Sequence, residues 1–158
     1  MVVLIRALTY ATLFIGFLLV FLPAQLLEWS GVAPPEVIGP GEIAGVALVG
    51  VGVLLAVWCI VTFALVGKGT PAPFDPPRRL VARGPYRFVR NPMYLGAAAA
   101  LGGAALHYQS GALAAYAGVF LLLMHGFVVV YEEPTLRETF GGDYDLYCRD
   151  VRRWRPRL

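Results

Sequence analysis

Two short stretches of this chain carry groups that could do chemistry, Arg90-Asn91-Pro92-Met93-Tyr94 and Tyr131-Glu132-Glu133-Pro134, and no Asp, Glu, Lys or Arg lies between them. Adjacent carboxylates at the end of a long apolar run are opposed by low dielectric, by each other and by the negative end of the helix dipole. Cations must therefore lie near Glu132 and Glu133. Arg87 and Arg90 can supply them as a helix-end ion pair, or a cationic ligand can. Arg90, Asn91 and Tyr94 bring a guanidinium, an amide and a phenol to one helix start, with Arg90 and Tyr94 one turn apart. His125 falls two turns deeper on roughly the face of Glu132. A hydrogen bond to another helix is its simpler role, and a functional one the alternative. His107 lies at the far end of the apolar run, too distant to join this group.

For these stretches to meet, the segment between them must turn back once across an apolar layer. The chain has 58% hydrophobic and 15% charged residues, against about 25% charged in an average soluble domain, so lipid is its expected main solvent. Four segments, at about 4–27, 43–66, 92–108 and 112–131, approach the ~20 apolar residues that cross a hydrocarbon core of about 30 Å. The expected fold is all-α: one domain over 1–158, polytopic in the membrane, with about four transmembrane helices and a C-terminal amphipathic interfacial helix. That last helix falls within 134–158, where Leu136, Phe140, Tyr144, Tyr147 and Val151 recur opposite Arg137, Asp143, Asp145 and Arg152. A cleaved signal peptide is the competing reading of the first segment, which is longer than a signal core and lacks a small-x-small cleavage site. Asn91 and Pro92 supply an N-cap and a first-turn proline for the third helix. Gln109-Ser110-Gly111 is a tight turn that makes helices three and four an antiparallel hairpin. Gly96, Ala100 and Ala104 form a small-residue stripe that lets a neighbouring backbone approach.

Charge placement orients the bundle. All 13 Lys and Arg fall at Arg6, between Lys68 and Arg90, or from Arg137 onward, whereas the first connection holds Glu28, Glu36 and Glu42 and no base. The positive-inside rule places both termini and the 67–91 loop in the cytoplasm, and with them the two motifs. The net charge of +3 is explained by this topology and by anionic headgroups, so no nucleic-acid partner is expected. Cys59 and Cys148 have no spacing suited to a disulfide framework or a zinc site, and no metal centre is expected. The Gly39-x-Gly41-x-x-x-Gly45 run lacks the strand and spacing of a dinucleotide fingerprint, and the glycines around Lys68 lack a phosphate loop's pattern.

Gly84-Pro85-Tyr86-Arg87-Phe88-Val89-Arg90-Asn91-Pro92-Met93-Tyr94-Leu95-Gly96, followed by Tyr131-Glu132-Glu133-Pro134, then Phe140-Gly141, Tyr144, Tyr147 and the terminal Arg153-Trp154-Arg155-Pro156, resembles the small integral-membrane methyltransferases. That superfamily includes isoprenylcysteine carboxyl methyltransferases and phospholipid N-methyltransferases. The resemblance implies S-adenosylmethionine as methyl donor, held by the C-terminal helices instead of a Rossmann domain. It places Gly84, Tyr86, Arg90, Asn91, Tyr94, Glu132 and Glu133 around the cofactor, with Arg90 and Tyr94 acting in the transfer. The implied acceptor is a lipid or another amphipathic molecule arriving from the bilayer. Many carboxyl methyltransferases of the group have histidine where Asn91 stands, and Asn-Pro-Met-Tyr with Tyr-Glu-Glu-Pro is similar also to phosphatidylethanolamine methyltransferases. The cofactor's sulfonium, ammonium and carboxylate would complement two glutamates and an arginine. Methyl transfer is an in-line displacement that mainly requires alignment and exclusion of water. A carboxylate acceptor needs no general base, whereas an amine must be deprotonated. Two other classes compete: a membrane oxidoreductase similar to sterol reductases, which would bind a nicotinamide cofactor, and a non-enzymatic scaffold whose glutamates merely pair with arginines.

Overall fold

The computed structural model describes residues 16–67 and 79–156, and among them every regular element is helical. In chain order these are α1 (Gly16–Trp29), α2 (Pro40–Gly67), a single 3-10 turn (Gly84–Arg87), α3 (Pro92–His107), α4 (Gly111–Phe140) and α5 (Gly142–Asp150). Residues 4–15 of the first expected span and 68–78 of the expected loop lie outside the described residues. Helices α2 and α4, at 28 and 30 residues, are long and apolar enough to cross a membrane, whereas α3 has only 16 residues. Both long helices leave large apolar side chains bare: Leu54 is 71% exposed, Leu122 72% and Val130 78%. Exposed apolar surface costs about 25 cal/mol per Å² in water, so ridges of this kind belong in an apolar solvent.

Helix α3 lies between α2 and α4, and its small residues explain why. A Cβ added to Gly96 would come 2.9 Å from the Gly52 carbonyl oxygen, and one added to Gly103 would come 2.6 Å from that of Gly45. The two helices therefore meet backbone to backbone, which no larger residue allows at these positions. Gly96 and Ala100 belong to the expected stripe; Gly103, outside it, makes the second approach. On its other side α3 packs Ala97 and Leu101 against Ala117 and Phe120 of α4, with Leu18 and Leu19 of α1 alongside. The Tyr116 hydroxyl donates to the Leu18 carbonyl at 2.8 Å and ties α1 to α4.

The hairpin turn forms where expected, with Gln109 in the left-handed region (φ +49°) and the Ser110 hydroxyl capping α4 by accepting the Leu113 N–H. Glu42 binds this end together, accepting from the Gly39 N–H at 2.8 Å and from the Gln109 side chain at 3.2 Å. His107 Nδ1 faces the Glu42 carbonyl oxygen at 3.3 Å, so this histidine belongs to the end opposite the glutamate pair.

The helix that carries the fourth expected span, 112–131, runs on to Phe140, through a π-helical turn at Val128–Glu132 and past Pro134. Pro134 directly follows that π-helical turn, at the start of the α-helical segment Glu133–Phe140. The break falls at Gly141, whose φ of +53° suits a residue without a Cβ. The amphipathic helix expected over 134–158 is thus the last turns of α4 plus the short α5, and an irregular tail follows.

Candidate active site

At one end of the bundle the C-terminus of α2, the 3-10 turn, the start of α3, the π-helical turn of α4, α5 and the tail converge. Cys59, Val81 and Tyr86 form a buried cluster there, with Phe63 and Met93 packed against it, and this fixes the 3-10 turn on α2. Gly84 makes that docking possible. It adopts φ +58° beside α2, where a Cβ would come 2.8 Å from the Thr62 hydroxyl. Tyr86 is held further by its carbonyl oxygen, which accepts the Tyr147 hydroxyl at 2.6 Å. Burial pushes the Tyr147 phenol well above its ordinary value, so it is a neutral donor at physiological pH.

Between these elements runs a narrow cleft lined by Tyr86, Arg90, Asn91, Glu132, Glu133 and Tyr147, with Phe63, Leu80 and Leu136 as its apolar wall. It encloses about 30 Å³, so a ligand of nucleoside size must widen it or extend over its open side.

The two glutamates have different partners. Successive residues of a helix point about 100° apart, and here that rotation sends one carboxylate toward α3 and the other toward the tail. Glu133, buried, receives a bidentate grip from Arg153, Nε to Oε1 at 2.7 Å and Nη2 to Oε2 at 2.9 Å, with Arg90 Nη1 3.2 Å from Oε1. Glu132 has no cation among the described residues. Among the described residues its hydrogen bond comes from the Tyr94 hydroxyl, at 3.0 Å to Oε2.

Arg90 sits just before α3, and its backbone N–H donates to the Arg152 carbonyl at 3.0 Å. Its guanidinium is divided: Nη1 donates to Cys148 Sγ at 2.7 Å and lies near Glu133, while the buried Nε has no acceptor among the described residues. A buried donor without an acceptor is costly, and a ligand that supplies one removes the cost.

Several placements differ from expectation. Asn91 occupies the N-cap position of α3 but makes no side-chain cap; its amide donates to the Arg153 carbonyl at 3.4 Å, because the tail runs alongside it. Arg87 does not reach the glutamates and lies exposed over the Phe88 ring, 4.4 Å from its centroid. Arg90 and Tyr94, expected to work as one pair, contact Glu133 and Glu132 respectively. His125 is exposed and bonds no helix; Trp154 Nε1 donates to its Nδ1 at 3.0 Å. Arg153, Cys148 and Tyr147 were absent from the expected site. For Arg153 the signal was its place in the terminal Arg-Trp-Arg-Pro, which carried resemblance but no partner.

The model of the phospholipid methyltransferase family matches residues 41–143 of the 158-residue chain. The chain belongs to that family. The match begins in α2, before the segment that carries the recognisable motifs, and ends at the start of α5, so it takes in the 3-10 turn, α3 and α4 but not Tyr147 or the tail. Family and bare apolar helices together make this a membrane protein. No curated protein and no solved structure matches the chain.

Proposed function

We propose that this protein is an S-adenosylmethionine-dependent methyltransferase that methylates the headgroup of a phospholipid-type acceptor reaching the cleft from the bilayer. The observation that carries this reading is Glu132, a carboxylate in the cleft wall held by a phenol and, among the described residues, by no cation. A carboxylate held this way is a site for a cation brought by a ligand. Arg90 offers the opposite sign a short way along the same wall, with a donor on Nε that no described residue uses. Glu132 and Arg90 together suit a ligand with separate cationic and anionic groups, as the amino-acid portion of S-adenosylmethionine has.

When bound, that cofactor supplies an electrophilic methyl group on a sulfonium. The chain's residues then have the tasks of binding, orienting and drying. Tyr94 fixes the rotamer of Glu132, Arg90 holds an anionic group, and Phe63, Leu80 and Leu136 exclude water from one wall. Gly84 and Tyr86 act by docking the 3-10 turn that closes the cleft. The family favours a phospholipid amine over a prenylcysteine carboxylate as acceptor, in keeping with asparagine at position 91. In the proposed topology four spans leave both termini and the cleft on the cytoplasmic side, where the soluble cofactor is found.

The reading is tested by titrating purified protein in nanodiscs with S-adenosylmethionine, S-adenosylhomocysteine and a reduced nicotinamide cofactor. Binding of the first two and not the third is expected. Binding of the nicotinamide cofactor alone would transfer the site to an oxidoreductase, and no binding by any of the three would leave a scaffold. Incubation with phosphatidylethanolamine vesicles or with a prenylcysteine, followed by mass spectrometry, then identifies the acceptor class.

A further inference from the structure

The tail beyond α5 is drawn back across the site at four points. The Arg152 carbonyl accepts the Arg90 N–H at 3.0 Å, the Arg153 carbonyl accepts from the Asn91 amide at 3.4 Å, the Arg153 guanidinium grips Glu133, and Trp154 Nε1 donates to His125. Val151, just before, is buried. Residues 151–154 therefore form a strap that bridges the start of α3 and the side of α4.

We infer that Arg153 is a positioning residue of the cleft: by taking both oxygens of Glu133 it holds Arg90 to one shared contact there and leaves the Arg90 Nε, on the same wall as Glu132, for the anionic group of a zwitterionic ligand. Glu133 lies within reach of two guanidinium groups, and their geometries differ. Arg153 makes two hydrogen bonds of 2.7 and 2.9 Å, the planar fork-to-fork arrangement in which a carboxylate is best satisfied. Arg90 approaches the same carboxylate at 3.2 Å through a nitrogen that also donates to Cys148, and its Nε remains without an acceptor. Without Arg153, Arg90 would be the remaining cation at the buried carboxylate of Glu133 and would exchange its single contact there for a bidentate one. The three remaining charges would then form one neutral pair and one isolated Glu132, and the anion-binding half of the cleft would be lost. Arg153 touches neither the reacting atoms nor, in this arrangement, the ligand; it acts through Glu133 and Arg90.

This inference rests on the methyltransferase reading, and the experiment separates the two. S-adenosylmethionine affinity is measured calorimetrically for the full-length wild type, Arg153→Ala, Arg153→Lys, Glu133→Gln/Arg153→Ala and Glu133→Gln/Arg153→Lys, each with its thermal midpoint. Arg153→Ala is expected to weaken binding by about tenfold or more, and Arg153→Lys by less, because it keeps the charge but not the fork. Adding Glu133→Gln to either is expected to restore affinity, since an uncharged Glu133 position no longer captures Arg90. Should Arg153→Ala not fold, the Arg153→Lys pair gives the same comparison. Unchanged affinity in the Arg153 single variants, or a further loss when Glu133→Gln is added, would overturn the positioning role while wild-type binding still upheld the enzyme. Failure of the wild type to bind would overturn both.

Discussion

Glu132 and Glu133 are neighbours in sequence, yet one is tied to two arginines and the other to a single phenol. That difference divides their expected behaviour. Breaking a buried ion pair from one side costs about 3 to 5 kcal/mol, so Glu133→Gln should lower the thermal midpoint in detergent while leaving a cation site intact. A midpoint equal to wild type would show that the pairs with Arg90 and Arg153 contribute little. Tyr94→Phe removes only the hydroxyl that orients Glu132. Turnover of a confirmed lipid acceptor should fall roughly tenfold, the equivalent of about 1.4 kcal/mol. Arg90→Lys keeps a charge and loses the planar fork, and it should also impair turnover. His125→Ala, which removes an exposed contact to Trp154, should keep most of it. The reverse pattern, with wild-type rates in Tyr94→Phe and Arg90→Lys and a collapse in His125→Ala, would move the reaction centre along α4. The pair of acids and the need for Arg90 were legible in the sequence, because unpaired charge at the end of an apolar helix demands explanation. Which acid Arg90 meets was not, because a rotation of about 100° separates the two faces and the competing cation comes from a tail twenty residues further on.

At the scale of elements, the position of the site depends on how closely α2 and α3 approach, and four glycines set that distance. Gly103 and its neighbour Gly102 provide a matched test. A Cβ at Gly103 would meet the Gly45 carbonyl oxygen at 2.6 Å and the Val49 nitrogen at 2.7 Å, whereas one at Gly102 meets nothing within 4 Å. Gly103→Leu should therefore destabilise by about 1 to 3 kcal/mol or more through overpacking. Gly102→Ala should be neutral or stabilise by up to about 1 kcal/mol, as expected for replacing a helical glycine. Thermal unfolding in detergent measures both, and equal midpoints would contradict the backbone contact. Helix starts and the hairpin turn were readable, since Pro92 and Gln109-Ser110-Gly111 are strong local signals. That α4 runs on past Pro134 was not, because the proline follows a widened π-helical turn. Such a turn has no local sequence signature and is often found beside functional sites.

At the scale of the whole molecule, segregated charge, bare apolar helices and a cleft at one end combine, in the proposed reading, into an enzyme whose cofactor enters from water and whose acceptor enters from lipid. Composition made the apolar solvent legible; the strap that holds Arg90, Asn91 and Glu133 from behind the cleft was not, because its contacts depend on tertiary return. The proposed topology predicts that Ser30→Cys and Gly111→Cys, in a background with Cys148 replaced by serine, label only from the outer side, and that Asp143→Cys labels only from the cytoplasm. Ser30, Gly111 and Asp143 are all exposed, unlike Ser110, which is buried as the α4 cap. Labelling of Ser30→Cys from the cytoplasm would invert the bundle and remove the cleft from its cofactor. The most direct test of the central claim, that Glu132 is the cation-binding carboxylate, is the calorimetric affinity for S-adenosylmethionine in Glu132→Gln against wild type. Loss of a charge-assisted contact of about 1.5 to 3 kcal/mol predicts a weakening of roughly ten- to a hundredfold, and an unchanged affinity in a folded variant would contradict it.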